Sequence, residues 1–482
     1  MRLMRAIFVG LALFISLASF AGEVVIHGKS KGIEGKKISV NFIEDYLSMN
    51  TKKVKEGQVD DKGNFNLYFS TEETREIQLR FDGLHSFMYV QPGTEYFVEL
   101  GPIRPGQNKS FTDNQIELLF DTLQKFDVNN LILDFNERLD AFMAYNMKVL
   151  GTKAYQAEVD TFKVYLAKVY HEVKDPYFRD YVFYSIAGIE QIGGIDVDMV
   201  KLKAKLYKEY LSQGKVIYNS PAYMLFFQQY YTDVFKLAND EEEKKLVKAI
   251  NYKKSWKMVD SVLMKDPFLR NDRIRELVMI KGLSEEYYAG QFYPDNIVLI
   301  LDSIKKFSNY KENSLIAQNL RTKLTQLNVG YPAPAFSLKN EKDLDVSLID
   351  LKGKYVYLQF WATWNNASIG ELKIMTELHK KYGEDIRFVS VNMDDSKESW
   401  IQFLKEHPEM KWIHLHYSDD AEIIEKYRVS ALPLYYLIGP DGLFIQSPAY
   451  KPTPNGTFIT IENTFFEIYR RLHPRSNPKG QR

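Results

Sequence analysis

The chain has 482 residues, 45% hydrophobic and 26% charged, which is too long for one core and ordinary for globular protein, so about two to four domains are expected. Lys plus Arg number 63 and so do Asp plus Glu, which excludes a strong field for drawing nucleic acid or anionic lipid. The 482 residues hold no cysteine, which excludes disulfides and any thiol chemistry of the chain's own.

Arg2 and Arg5 precede the apolar run "AIFVGLALFISLA", and Ser19-Phe20-Ala21 follows with small residues at −3 and −1. This is the pattern of a cleavable secretory signal over residues 1–21, and the run is short for a membrane span. Export to the periplasm or the medium is expected, with 61 basic and 63 acidic residues in the mature chain. No cysteine follows the signal to carry a lipoprotein anchor, and no integral span is expected after cleavage.

Residues 22–103 read as a small β domain. "EVVIHG", "KKISVNF", "NFNLYF", "EIQLRF" and "EYFVEL" alternate apolar and polar residues, as half-buried strands do, and "DDKGNF" and "QPGTEY" supply tight turns. An antiparallel sandwich or partly closed barrel is predicted. From 104 to 327 the period lengthens to that of helices. Tyr155, Val159, Phe162, Leu166 and Val169 share one face behind the N-cap Thr152, and Asp175-Pro176 opens another helix. No repeat period emerges, so a helical bundle or irregular array is expected, with "NDEEEKK" at 239–245 as a solvated helix start. The many aromatics, 32 Tyr and 31 Phe, are expected to fill interfaces between these elements.

Residues 328–473 alternate strand and helix. "KYVYLQFW" leads into a helix at 366–382, "IRFVSVNM" into "SKESWIQFLKEH", and "KWIHLHY" into "DAEIIEKYR". "LYYLI" and "LFIQS" flank the turn "GPDG", "ENTFFEIYRRL" adds a last helix, and 474–482 reads as a loose tail. The fold class expected is therefore multidomain α+β: an N-terminal β-sandwich or barrel, a central helical region and a C-terminal α/β domain.

The motifs "GYPAPAF", "LKGKYVYLQFWATW", "FVSVNMDD" and "YRVSALPLYYLIGPDG", in that order, resemble the TlpA/ResA-like branch of the thioredoxin superfamily, exported thiol-disulfide reductases. The resemblance covers about a third of the chain, and the preceding β and helical regions look like extensions found in Gram-negative envelope proteins. It places the family's W-C-x-x-C on Trp364-Asn365-Asn366-Ala367-Ser368, so Asn365 and Ser368 stand at the two sulfur positions. It implies that the family's later acidic residue is Glu371, that Lys373 replaces a helix-kinking proline, and that Pro433 is cis, preceded by Leu432.

Disulfide exchange needs a thiolate attacking sulfur, and neither a carboxamide nor an alcohol makes that bond. Asn365 suits the place in another way, because asparagine caps helices well. Ser368 lacks a nucleophile elbow, and its expected role is a small polar residue in the first turn. His414 and His416 would face one side of a strand together with Trp412, making half a zinc site at most, so a surface or edge-strand pair is expected and no metal or other cofactor is predicted. His379 is expected to be exposed.

What the resemblance leaves is recognition: strand-like binding of an extended peptide beside Leu432-Pro433, bordered by Trp361, Trp364, Asn365 and Asn366. The expected function is a redox-inactive thioredoxin-like module that binds or scaffolds envelope proteins or peptides. The alternatives are a family-type thiol-disulfide oxidoreductase, which the cysteine count opposes, a helper of a separate cysteine-bearing reductase, and an envelope assembly factor acting through the helical region. Oligomeric state is not legible.

Overall fold

The computed structural model describes residues 22–81, 83–103, 114–193, 196–236, 240–417, 422–454 and 459–474; the expected signal at 1–21 and most of the expected tail, 475–482, lie outside them. Among the described residues eight strands come first: β1 (Gly22–Lys29), β2 (Lys37–Ile43), β3 (Thr51–Gln58), β4 (Asn64–Thr71), β5 (Arg75–Phe81), β6 (Leu84–Val90), β7 (Glu95–Leu100) and β8 (Leu118–Phe120). They form two four-stranded sheets, ordered β4-β1-β7-β8 and β3-β2-β5-β6. The sheets stack as a sandwich and do not close into a barrel. Phe65 and Leu67 of β4 pack with Ile77, Leu79 and Phe81 of β5 in the core between them. Gly63 and Gly93 take positive φ in the two turns that the sequence marks.

β3 escapes the apolar-polar pattern because it is an outer strand, "TKKVKEGQ", none of it fully buried, and its lysines discourage pairing with other chains. β8 joins β7 beyond residue 103, where the sequence pattern places the start of the helical region. β5 does not alternate as a half-buried strand would. Ile77, Gln78 and Leu79 are all buried, because the polar face of this sheet is covered by helices.

Among the described residues ten α-helices follow: α1 (Val128–Asn146), α2 (Lys153–Val169), α3 (Pro176–Glu190), α4 (Met199–Leu206), α5 (Pro221–Tyr230), α6 (Asp240–Val247), α7 (Trp256–Leu263), α8 (Asp272–Glu286), α9 (Pro294–Phe307) and α10 (Lys311–Thr325). Thr152 caps α2 through Tyr155 N at 3.3 Å, and Asp175 caps α3 through Phe178 N at 2.8 Å. Both caps are the ones the sequence predicts. The sheet and the helices share a core in which Ile43 and Tyr46 pack with Tyr223 and Phe227. Asn319 of α10 donates to Asp45 at 2.9 Å, and Lys323 donates to the Ser48 carbonyl at 2.7 Å.

The last third contains β9 (Ser337–Asn340), β10 (Asp345–Ser347), β11 (Tyr355–Trp361), α11 (Asn366–Tyr382), β12 (Ile386–Asn392), α12 (Lys397–Glu406), β13 (Ile413–His416), α13 (Glu422–Lys426), β14 (Leu434–Ile438), β15 (Phe444–Gln446) and α14 (Ile461–Leu472). The sheet order is β10-β9-β13-β12-β11-β14-β15, with β11, β12 and β13 parallel. Every residue of β11 is buried, as expected for a central strand covered on both faces. One face packs Leu358 and Val391 against Ile423 and Tyr427, and the other packs Tyr357 and Phe388 against Met375 and Phe465. This is a thioredoxin-like α/β arrangement. Gln326 Nε2 donates to the Lys426 carbonyl at 3.1 Å, and Arg80 of β5 pairs with Glu425, so both upstream regions touch this module.

Candidate functional site

β11 delivers the chain to the C-terminal end of its strand at Trp361, and residues 362–365 turn it into α11. Asp394, buried just past β12, holds this turn: Thr363 N donates to Oδ1 at 2.9 Å and Thr363 Oγ1 to Oδ2 at 2.7 Å. Met393 N donates to the Trp361 carbonyl at 2.8 Å, continuing the strand pairing one residue further. The "NMDD" motif is therefore the brace of the loop, a role that its sequence alone did not reveal.

Asn365 has extended backbone and accepts from Ser368 N through Oδ1 at 2.8 Å, so it is the N-cap of α11. The free amides of the first turn and the positive end of the helix dipole face this position. Ser368 is fully buried, and its Oγ has no hydrogen-bond partner among the described residues. A thiol loses little in such a place, whereas a hydroxyl there forfeits a hydrogen bond.

Phe360 pairs with Leu434, so continuing the antiparallel register brings Pro433 alongside Trp361. The Leu432–Pro433 bond is cis. Leu432 is half-buried against the core, and Pro433 is likewise half-buried. Trp364 is 62% exposed, and Asn366 and Ala367 are exposed beside it. Thus Trp364, Asn365, Asn366 and Pro433 gather at one end of the sheet. Trp361, expected at the border of a groove, is instead fully buried, its ring 5.3 Å from Phe403 of α12; it supports the turn from beneath.

Glu371 is buried three residues past Ser368, and both of its oxygens are engaged by Thr453, by the backbone N–H at 3.0 Å and by the hydroxyl. The helix runs unbroken past Lys373, which is exposed.

The two strand histidines are not the surface or edge pair that the sequence suggested. β13 lies between β12 and the short β9, and His414 and His416 are 4% and 0% exposed. The sequence reading missed β9, a four-residue strand, and so left β13 at an edge. Burial pushes the His414 imidazole down to about 4, with Nε2 against the Met410 carbonyl at 3.0 Å. His379 is half-buried, its ring 5.7 Å from that of Trp412. No group of three or more His, Asp or Glu suited to a metal occurs among the described residues. A buried polar chain crosses the sheet nearby: Trp412 Nε1 donates to Ser390 Oγ at 2.8 Å, Ser390 to Gln359 Oε1 at 2.7 Å, and Gln359 Nε2 to Tyr435 OH at 3.2 Å.

A thioredoxin-like family model matches residues 353–444. The thiol-disulfide oxidoreductase ResA of Bacillus thuringiensis is 32% identical over 151 residues, 31% of this chain and 82% of that protein. The thioredoxin-like protein YneN of Bacillus subtilis is 38% identical over 82 residues, 17% of this chain and 48% of YneN. Among solved structures, the thioredoxin domain of a thiol-disulfide oxidoreductase from Bacteroides vulgatus is 21% identical, with a TM-score of 0.26, and the match covers 30% of this chain and 99% of that one.

Proposed function

Through its C-terminal third this chain belongs to the ResA-like thioredoxin family, and from that premise we propose that it is an exported protein in which the thioredoxin-like module binds a protein or peptide and performs no redox chemistry. The observation that carries the proposal is a kept frame without sulfur. Asn365 caps α11 and Pro433 is cis, yet no cysteine exists to form a mixed disulfide. The partner is an extended segment laid against the backbone at Leu432-Pro433, with exposed Trp364 supplying apolar contact. Export rests on the pattern of residues 1–21. Among the described residues no helix is long and apolar enough to cross a membrane.

Two measurements test this. Insulin reduction by the purified chain should not exceed the dithiothreitol-only rate; catalysis above it overturns the non-redox reading. Affinity capture from envelope extracts should yield a specific partner with wild type and lose it with Trp364→Ala/Leu432→Arg. Equal capture by that variant would move recognition away from this end of the sheet.

A further inference from the structure

A cavity of about 600 Å³ lies where the sandwich meets the helices, remote in sequence from the thioredoxin-like module. Its walls come from β5, β6, α1, α3 and α5. Glu76 of β5 and its cross-strand neighbour Tyr89 of β6 form the floor. Tyr181, Tyr184 and Gly188 of α3 and Gln229 of α5 contribute to the other sides. The strand alternation explains the floor: Ile77 and Met88 point into the sandwich, so Glu76 and Tyr89 point outward, under the helices.

The carboxyl of Glu76 is surrounded by phenols. Tyr46 OH, from the β2–β3 connection, donates to Oε2 at 3.0 Å. Tyr177 and Tyr181 of α3 lie 5.8 and 6.1 Å from the Tyr89 ring, centroid to centroid. Among the described residues no Lys or Arg forms an ion pair with Glu76. Its neighbour Arg75 stacks over Phe42 at 4.2 Å and reaches Glu73 at 4.0 Å. Asp140 of α1 acts on Tyr181, and α5 presents only uncharged groups to the cavity. A carboxylate and several aromatic faces without a counter-ion make a site that is incomplete for charge.

We propose that this cavity binds a primary alkylammonium group, with Glu76 accepting its N–H donors and the tyrosine rings enclosing its apolar stem. A metal ion fits poorly, because Glu76 is the only carboxylate among the described residues of the walls and hard cations need several oxygen ligands. The volume instead suits a small organic ligand or a single side chain. Burial pushes the Glu76 carboxyl up to about 7, against the opposing pull of the Tyr46 and Tyr89 hydroxyls. Binding therefore favours the ionised form and strengthens as the pH rises.

Calorimetry on the full chain tests this with n-butylammonium, butanol, tetramethylammonium and a doubly blocked lysine. Butylammonium should bind about tenfold more tightly at pH 8 than at pH 6, following ionisation of Glu76. Butanol should not bind, and tetramethylammonium, which has no N–H, should bind more weakly. Equal binding of the blocked lysine would identify the source as a peptide side chain, and exclusive binding of the free amine a small metabolite. Glu76→Gln should weaken binding at least tenfold and abolish its pH dependence. Gly188→Leu is a second variant, since a Cβ there meets only Gln229 Oε1, at 3.8 Å, and the larger side chain would fill the cavity. The proposal is overturned if butylammonium shows no saturable binding, if butanol or tetramethylammonium binds as tightly, or if folded Glu76→Gln or Gly188→Leu retains wild-type affinity.

Discussion

The carboxamide of Asn129, in the first turn of α1, takes both backbone groups of Tyr89: Nδ2 donates to the carbonyl at 2.8 Å, and Oδ1 accepts from the N–H at 2.7 Å. β6 is the outer strand of its sheet, and the side chain stands in for a missing neighbour strand. Ile116 N extends the same protection by donating to the His85 carbonyl at 2.8 Å. The pairing also locks the helical region to the sandwich beside the cavity. Asn129→Ala should therefore destabilise this half of the protein by about 1–2 kcal/mol, because two half-buried backbone groups lose their partners. Urea denaturation measures the loss; a change under about 0.5 kcal/mol would mean that solvent replaces the side chain without cost.

Ser368→Ala should leave stability unchanged or raise it by up to about 1 kcal/mol. The hydroxyl is fully buried without a partner among the described residues, so its removal relieves a desolvation cost and removes no hydrogen bond. Thermal unfolding reads this directly, and a clear decrease in Tm would show that the hydroxyl has a partner.

Asn365→Cys/Ser368→Cys should give a chain that reduces insulin faster than wild type. The first cysteine would sit at the N-cap of α11, where the helix dipole favours a thiolate, and the second at the buried position one turn on. Failure of this folded variant to exceed the blank would show that more than sulfur has been lost from the site.

Two desolvated groups, buried His414 and half-buried Glu76, impose opposite pH trends on different parts of the chain. His414, held at about 4, stays neutral while the unfolded chain gains a proton below about 6.5. Stability of the C-terminal sheet should therefore fall by about 2 kcal/mol between pH 7 and pH 5 on this account. Glu76, raised to about 7, keeps a proton that the unfolded chain releases above about 4.5, so its contribution is lost as pH rises across the same interval, again by about 2 kcal/mol. Native-state hydrogen exchange should show His414→Gln flattening the trend in β12, and Glu76→Gln flattening the opposite trend in β5. Unaltered slopes would sink the respective assignment.

The thioredoxin-like third was legible because its parts are local. "KYVYLQFW" is a continuous apolar strand, Asn365 is a strong cap, and the helix predicted at 366–382 is the helix found. Elements whose pattern depends on neighbours were not legible. β3 is a lysine-rich outer strand, β9 has four residues, and overlooking β9 turned His414 and His416 from buried residues into an expected edge pair. Trp361 reads as a groove residue by its place beside the motif, but α12 packs over it.

Composition alone decides that this site has no thiol of its own, since the 482 residues contain no cysteine. Periodicity likewise decides which segments become strands and helices, through the repeat of side-chain direction along the backbone. The environment of Glu76 was decided only in three dimensions. "REIQLRF" presents an ordinary outward carboxylate until four other elements close around it, and desolvation depends on what packs there and not on the strand that carries it.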